Sequence, residues 1–286
     1  MNLSSSSLAS DIIRGRWLID RPQAWLPFAM NILSGNGIDK IEAVSLPDRC
    51  EVRLESDGYG SDGAPSKVEK KVAIVPLHGV MTKYETCQSY GTSYLAKKIR
   101  NYAAKEEVVA IVLDIDSGGG AANSVPILCE AINEVKAAGK PVIAHCDFCA
   151  SAALWVASQC DLVYLDNAMS EIGSIGAVCT LQLPPEIDPS TGVKTVQIYA
   201  KESPDKNKSY RKAVEGDYSL LQDELSPLVR QFQDAVKKGR PGLDTSVEGV
   251  MTGAMFPCDR AISIGLADAR KTLTETIEAA FALAEV

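Results

Sequence analysis

Apolar segments that alternate with helical patterns constrain the fold of this chain more than any other feature. Strand-like apolar runs cover residues 108–113, 141–145 and 162–165, and helical patterns fill 124–138 and 151–158 between them. Apolar strands that alternate with helices are typical of a mainly parallel sheet with helices on both faces. The sequence therefore predicts an α/β fold built from repeated βα units.

The same pattern extends in both directions, and the C-terminal part is mostly helical. A strand at 72–76 and a helix at 93–104 precede the repeated units. A strand at 193–199 follows them, and then come helical patterns at 218–237, 247–250, 259–264 and 273–284. The last helix has an apolar face that we expect to contact another subunit, formed by Leu273, Ile277, Ala280, Phe281 and Leu283.

Composition divides the chain into three parts. Residues 1–53 carry large apolar side chains, including Trp17 and Trp25, and we expect them to form a helical docking segment. Residues 54–70 are polar and rich in glycine, serine and aspartate, a composition typical of a loop or linker. Residues 71–286 contain the alternating units and are predicted to form one α/β domain.

Charge and hydropathy exclude two classes of partner. The net charge is −8 and the basic residues form no cluster, so the chain would repel a nucleic acid backbone. The apolar run at 24–33 is short and is interrupted by Pro27 and Asn31, so neither a membrane span nor a signal peptide is expected. We therefore expect no nucleic acid partner and no membrane anchor.

Eight cysteines are scattered through the chain, mostly inside apolar segments. A chain of 286 residues needs no disulfides for stability, so this distribution favours a reduced protein in the cytoplasm. Cys146 and Cys149 have the spacing of a redox pair, and His145 beside them has the chemistry of a metal ligand. No further ligands accompany them, so buried cysteines are the favoured interpretation, and we expect neither a metal nor another cofactor.

Two amide-rich turns follow neighbouring strands of the predicted sheet. Ser151 opens the helical segment after the strand at 141–145, and the glycine run at 117–120 follows the strand at 108–113. The active sites of parallel sheets lie beyond the carboxyl ends of the strands, where both turns fall. Helix starts and glycine runs expose backbone N–H groups that stabilise an oxyanion beside a nucleophile. These residues predict an acyl-transfer site with Ser151 as the nucleophile.

Five short motifs occur in order along the chain: VPLHGV at 75–80, DSGGG at 116–120, ASAALW at 150–155, GSIGAV at 173–178 and IGLAD at 264–268. Together they resemble the signal peptide peptidase A family of serine–lysine peptidases, within the Clp/crotonase superfamily. The resemblance covers residues 72–269. It implies a Clp/crotonase-like fold with a helical C-terminal part and a serine endopeptidase that needs no cofactor.

The resemblance also implies roles for single residues. Ser151 is expected to attack the scissile carbonyl, and Ser174 is expected to orient the amine of a lysine base. Gly119, Gly120 and Ala152 are the expected donors to the oxyanion. The lysine should follow the strand at 193–199.

The position of that lysine depends on where a gap is placed in the alignment. The family has a turn containing serine and glycine before its lysine, whereas this chain reads AKESPDKNKSYR at 200–211. Alignment on Ser209 and Tyr210 favours Lys206 as the base. Lys208 and Lys201 are the alternatives.

A histidine-based triad is the rival catalytic arrangement. His145 lies in or just after the strand that leads to Ser151, too near in sequence to reach its hydroxyl easily, and His78 lies in a turn. Asp114 and Asp116 could form a carboxylate pair, but we expect one to cap the glycine turn and the other to be solvated. The serine–lysine dyad that the resemblance implies is therefore favoured over a histidine-based triad.

Within the family, the chain is most similar to phage and prophage capsid-maturation proteases, since a segment containing Trp17 and Trp25 precedes its first strand. This implies scaffold or capsid polypeptides as substrates, a homo-oligomer, and a location in the bacterial host cytoplasm or the phage procapsid. Two alternatives are a cellular peptidase that degrades signal peptides and a catalytically silent capsid-assembly scaffold with the same fold. A crotonase-type acyl-CoA enzyme is disfavoured, because the Ser151 and Ser174 motifs would have no role in it.

Overall fold

The computed structural model describes residues 17–19, 49–59, 65–85, 90–181, 183, 190–194 and 196–286, of which 17–19, 54–59 and 65–68 are described by their backbone alone. The strands are β1 (Trp17–Ile19), β2 (Cys50–Tyr59), β3 (Pro65–His78), β4 (Val108–Ser117), β5 (Gly119–Ala121), β6 (Val142–Ala150), β7 (Leu162–Leu165), β8 (Glu171–Gly173), β9 (Met255–Pro257) and β10 (Ala269–Arg270). The helices are α1 (Thr92–Ala103), α2 (Val125–Ala137), α3 (Ala152–Ala157), α4 (Lys208–Val214), α5 (Ser219–Gly239), α6 (Cys258–Ser263) and α7 (Leu273–Leu283).

The central sheet has the strand order β10-β7-β6-β4-β3-β2. Strands β3, β4, β6, β7 and β10 run parallel, whereas β2 pairs antiparallel with β3 at one edge. β8 runs beside the last residues of β6, and β9 pairs antiparallel with β8. The predicted α/β class, with repeated βα units, a mainly parallel sheet and a helical C-terminal part, is confirmed.

Helices cover both faces of this sheet. On one face α1, α2, α3 and α5 pack against β3, β4 and β6, and Trp155 of α3 stacks on Phe232 of α5 with ring centroids 5.0 Å apart. On the other face α7 buries Ile277, Ala280 and Phe281 against the sheet. The expectation that this face of α7 contacts another subunit is therefore wrong for these three residues. A parallel sheet must have both faces covered, and α7 covers the second one within the chain.

The segment predicted as a linker belongs to a long hairpin. β2 and β3 pair from Cys50 opposite Ala73 to Ser56 opposite Lys67, so a loop over 54–70 is wrong for most of its residues. Edge strands carry polar residues and lack the apolar runs of central strands, which explains why composition gave no strand signal. The three-part division at residues 53 and 70 stays a prediction. Of the N-terminal segment, residues 17–19 form a strand rather than a helix, and most of the others, including Trp25, lie outside the described residues.

Two other predicted elements differ from the structure. The described residues of 193–199 form no regular strand, and 247–250 are turns rather than a helix. Val193, Val196 and Ile198 are 59%, 65% and 91% exposed, so no strand of the described chain covers them. The short elements β8, β9 and α4 escaped prediction because so few residues show no clear hydrophobic period.

An ion pair between the buried Arg240 and the partly exposed Asp268 joins the C-terminal part to the sheet. Arg240, at the end of α5, donates from both terminal guanidinium nitrogens to the carboxylate of Asp268, at 2.8 and 2.6 Å. The same carboxylate accepts the backbone N–H of Val163 in β7 at 2.7 Å. The IGLAD motif therefore has a structural role, because its aspartate joins α5 to the sheet.

We expect Arg240→Ala to lower the free energy of unfolding by about 1.5–3 kcal/mol, because it removes two charge-assisted hydrogen bonds to the partly exposed Asp268 carboxylate. Arg240 itself is 8% exposed. The matched control is Arg100→Ala, which removes an exposed pair with Glu134 and should cost about 1 kcal/mol or less. Urea unfolding followed by circular dichroism measures both values. Equal losses in the two variants would contradict the structural role of the Arg240–Asp268 pair.

Candidate active site

Ser151 lies at the junction of β6 and α3, with φ +56° and ψ −119°. An L-residue in such a conformation carries strain of about 1–3 kcal/mol, and a strained strand-to-helix turn is the usual way in which a fold presents a nucleophile. Ser151 is 1% exposed, and its C=O accepts the Trp155 N–H at 3.0 Å, the first hydrogen bond of α3. The surrounding structure, rather than local propensity, therefore holds Ser151 in this backbone conformation.

β8 brings Ser174 beside Ser151. Ala150 at the end of β6 pairs with Gly173 at the end of β8. Ser151 and Ser174 therefore directly follow paired residues of two adjacent parallel strands. The Ser151 N–H donates to the Gly173 C=O at 2.9 Å, and the Ser174 N–H donates to the Ala254 C=O at 2.9 Å. A Cβ at Gly173 would lie 2.3 Å from that Ala254 oxygen, so only glycine fits there. The GSIGAV motif therefore supports the turn at Ser151, while the roles of Ser151 as nucleophile and of Ser174 toward a lysine stay predictions.

The glycine turn lies at the same edge of the sheet as Ser151. Ser117 pairs with Cys149 on parallel strands, and Gly119 and Ser151 each come two residues later. The Ser117 hydroxyl donates to the Gly79 C=O at 2.5 Å and accepts the Gly119 N–H at 3.1 Å. In this structure the Gly119 N–H is thus bonded inside its own turn, although it was expected to donate to an oxyanion.

Beyond the turn, β5 runs very close to Met81. The Met81 N–H donates to the Gly119 C=O and the Ala121 N–H donates to the Met81 C=O, both at 2.8 Å. A Cβ at Gly120 would lie 2.0 Å from the Met81 oxygen, which explains the glycine at this position. Because alternate residues of a strand bond on opposite sides, the N–H and C=O of Gly120 face Leu18 of β1. No sequence motif pointed to Met81, because it acts through its backbone.

The third expected oxyanion donor, Ala152, is the first residue of α3 and directly follows Ser151. Its N–H belongs to the first turn, where helical N–H groups have no partner within the helix. The three expected donors, Gly119, Gly120 and Ala152, therefore have different surroundings, and their role toward an oxyanion stays a prediction.

The three candidate lysines lie on an exposed segment before and at the start of α4. Lys201, Lys206 and Lys208 are all exposed, and the Lys208 amine pairs with Asp205 at 3.0 Å. Among the described residues, no hydrogen bond joins Lys206 to Ser151. A lysine works as a base only where burial favours its neutral form. In the part of the single chain that the structure describes, Lys206 is therefore exposed and makes no hydrogen bond to Ser151, and its role as the base stays a prediction.

The family profile of peptidase family S49 matches residues 134–286, which is more than half of the chain. The chain belongs to peptidase family S49. The matched part contains Ser151, Ser174 and the three candidate lysines. The resemblance to serine-type peptidases of the signal peptide peptidase A type is confirmed at this level.

Two proteins named Protease 4 are similar to this S49 chain. The one from Haemophilus influenzae is 23% identical over 278 residues, which cover 88% of this chain and 45% of that protein. The one from Salmonella typhi is 23% identical over 225 residues, which cover 78% of this chain and 36% of that protein. The chain thus spans less than half the length of these curated relatives.

Two solved structures are also similar to the S49 chain, and both are mutants of the 1510-N membrane-bound stomatin-specific protease. The first is 16% identical with a TM-score of 0.41, and the match covers 72% of this chain and 83% of that one. The second, in complex with a substrate peptide, is 15% identical with a TM-score of 0.41 and covers 72% and 78%. In the part of this chain that the structure describes, no helix is both long and apolar enough to cross a membrane.

Neither histidine of the S49 chain is placed to serve Ser151. His145 is buried with Nδ1 3.2 Å from an Asp114 oxygen and Nε2 3.1 Å from an Asp166 oxygen, so both ring nitrogens face carboxylates. His78 pairs with the second Asp114 oxygen at 3.3 Å, and this hydrogen bond raises the pKa of His78. Burial alone would raise the pKa of Asp114, but the bonds from both histidines outweigh it and hold that pKa well below its usual range. Asp114 and Asp116 were considered as a carboxylate pair from the sequence. In the structure Asp114 instead bonds to both histidines.

The cysteine pair has the properties of core residues. Cys146 and Cys149 are both buried, and burial raises the pKa of the Cys146 thiol well above its ordinary value. A redox-active thiol needs the opposite shift, so the redox interpretation is not supported. No disulfide joins the cysteines that the structure describes, and within the same residues no group of three or more histidine, cysteine or acidic side chains is arranged to hold a metal.

Proposed function

We propose that this chain is a serine endopeptidase that uses a Ser151–Lys206 dyad and processes scaffold or capsid proteins during phage head maturation. The observation that carries the peptidase part is the strained turn at Ser151, beside the glycine turn and within a chain of family S49. The Ser151 hydroxyl attacks the scissile carbonyl, and the N–H groups of Ala152 and of the glycine turn bind the oxyanion. The reaction needs water and polypeptide and no cofactor.

The proposed base requires an assembly that buries it. Val193, Val196 and Ile198 are exposed apolar residues that closely precede the lysine segment in the chain. Exposed apolar side chains grouped in this way mark contact surfaces. A second copy of the chain packed on this segment would take water away from the Lys206 amine and favour its neutral form. We therefore propose a homo-oligomer, in which Ser174 orients the lysine toward Ser151.

The phage substrate is supported only by the resemblance of the tryptophan-containing N-terminal segment. The two Protease 4 relatives are compatible with a cellular peptidase that degrades signal peptides, which is the first alternative. A catalytically silent assembly scaffold in the procapsid or the host cytoplasm is the second alternative. The exposed Lys206 and the internally bonded Gly119 N–H favour that second alternative.

A serine-reactive fluorophosphonate separates the peptidase from a silent scaffold. We expect the native protein to be labelled on Ser151, identified by mass spectrometry of the modified peptide, whereas heat-unfolded protein should stay unlabelled. Ser158→Ala is the matched control, because this serine of the same segment bonds to the Trp155 C=O and should not affect labelling. A native protein without label at Ser151 would contradict the proposed activity. Cleavage of scaffold polypeptides in preference to signal peptides would then favour the phage assignment.

A further inference from the structure

β1 fills an edge of β5 next to the candidate nucleophile. The two strands pair antiparallel, with Trp17 opposite Ala121, Leu18 opposite Gly120 and Ile19 opposite Gly119. The other edge of β5 is bonded to Met81. The main-chain groups of Gly120 are therefore available to a peptide strand only on the side where β1 lies.

The chain in β1 runs toward the nucleophile. β5 begins at Gly119, and the pairing of Ser117 with Cys149 puts this end of β5 level with Ser151. Because β1 is antiparallel to β5, its last residue, Ile19, lies at that end. A substrate strand that pairs with β5 and is cut just after its paired residues must also run antiparallel to β5, with its C-terminal end toward Ser151. The chain's own segment thus has both the position and the polarity of a substrate strand.

We propose that β1 is bound as a substrate strand and that the protein cleaves its own chain at Ile19–Asp20 or at an adjacent bond. This inference rests on the proposed peptidase function. The Ser151 Oγ attacks the carbonyl carbon, its proton passes through the base to the leaving amine, and water hydrolyses the ester and restores the serine. The products are an N-terminal peptide ending near residue 19 and a chain beginning near residue 20.

Tethering explains how so short a strand fills this edge. Three residues offer few hydrogen bonds, which would hold a free peptide only weakly. A segment of the same chain has an effective concentration on the order of millimolar, which favours its pairing over that of a free peptide. Until it is cut, this segment competes with other polypeptides for the main-chain groups of Gly120. Self-cleavage therefore also opens the edge to other substrates.

The test follows the intact mass of the full-length protein with time, at two protein concentrations tenfold apart, both high enough for light scattering to show the same oligomer. We expect the wild-type protein to lose the residues up to about Ile19 and Ser151→Ala to keep them. The rate constant should be the same at both concentrations, because the segment lies in its own molecule's site. Leu18→Pro removes the N–H that faces Gly120 and should slow the cut by about fivefold or more. Leu18→Ala keeps every main-chain group and is the matched control.

Three results would overturn the inference. They are an intact N-terminus in the wild-type protein, a cut only at bonds distant from Ile19, and equal rates for Leu18→Pro and Leu18→Ala. Added casein separates this failure from a failure of the proposed function. A wild-type protein that digests casein and keeps its own N-terminus refutes self-cleavage alone, whereas one that cuts neither chain refutes both.

Discussion

Ser151→Ala is expected to lower kcat/KM for a casein-like substrate by roughly 10⁴-fold or more, because the variant has no nucleophile and keeps only the binding groups. Its stability should stay within about 1 kcal/mol of the wild-type value, because the hydroxyl makes no capping hydrogen bond to α3. Activity is measured by release of labelled peptides, and stability by urea unfolding. Activity near the wild-type level would remove Ser151 from the mechanism.

Ser151→Gly provides a sharper control of the same position. Glycine adopts a φ of +56° freely, so this variant should relieve the strain and be more stable than Ser151→Ala by about 1 kcal/mol. It should be just as inactive, because it also lacks the hydroxyl. Ser158→Ala removes a buried hydroxyl from the end of the same helical segment and should keep full activity. An inactive Ser158→Ala protein would mean that any disturbance of this helix abolishes activity.

The position of Ser151 could be predicted from the sequence, because buried parallel strands have a strong apolar signal and their carboxyl ends meet at one edge of the sheet. The central strands and most of the helices followed from the same signal. The β2–β3 hairpin did not, since its polar composition is also that of a loop. The burial of Phe281, which lies in α7, against the chain's own sheet could not be predicted either. An apolar helix face fits the chain's own sheet and a second subunit equally well.

The residues that pack around Ser151 and the glycine turn could be predicted only in part. Gly120 and Gly173 belong to motifs that the sequence identifies, but the sequence does not show why a glycine is needed there. The groups that exclude a side chain are the backbone oxygens of Met81 and Ala254. Backbone atoms are common to all residues, so their partners leave no mark in the sequence. The pairing of β1 with β5 depends on main-chain hydrogen bonds for the same reason.

Lys206→Ala is expected to be as inactive as Ser151→Ala, and the double variant no worse than either, because members of one catalytic unit do not contribute additively. Lys206→Arg should also be inactive, since a guanidinium keeps its proton and cannot accept one from the serine. Lys201→Ala and Lys208→Ala are the matched controls from the same exposed segment and should keep most of the activity. A large loss at residue 201 or 208 instead would move the base to that lysine.

The pH dependence tests the chemical nature of this base. A lysine amine loses its proton only as the pH approaches its pKa, and even after burial lowers that pKa from about 10.4, activity should still rise above pH 8. A histidine base with a pKa near 6.5 would reach its plateau by about pH 8. We expect kcat/KM to rise through the alkaline range, with protein stability measured in parallel. A plateau near neutrality, with an active Lys206→Ala protein and an inactive His145→Ala or His78→Ala protein, would contradict the dyad.

The proposed dyad also depends on assembly, because Lys206 is exposed in the single chain and needs a second subunit to bury it. Ile198 is 91% exposed shortly before the lysine segment, and Ile198→Asp would place a charge in the proposed subunit contact. We expect this variant to be a folded monomer by light scattering, with activity as low as that of Lys206→Ala. Val52→Asp is the matched control, since Val52 is 50% exposed on the edge strand β2, and it should stay oligomeric and active. A monomeric Ile198→Asp protein with full activity would mean that one chain completes the dyad alone.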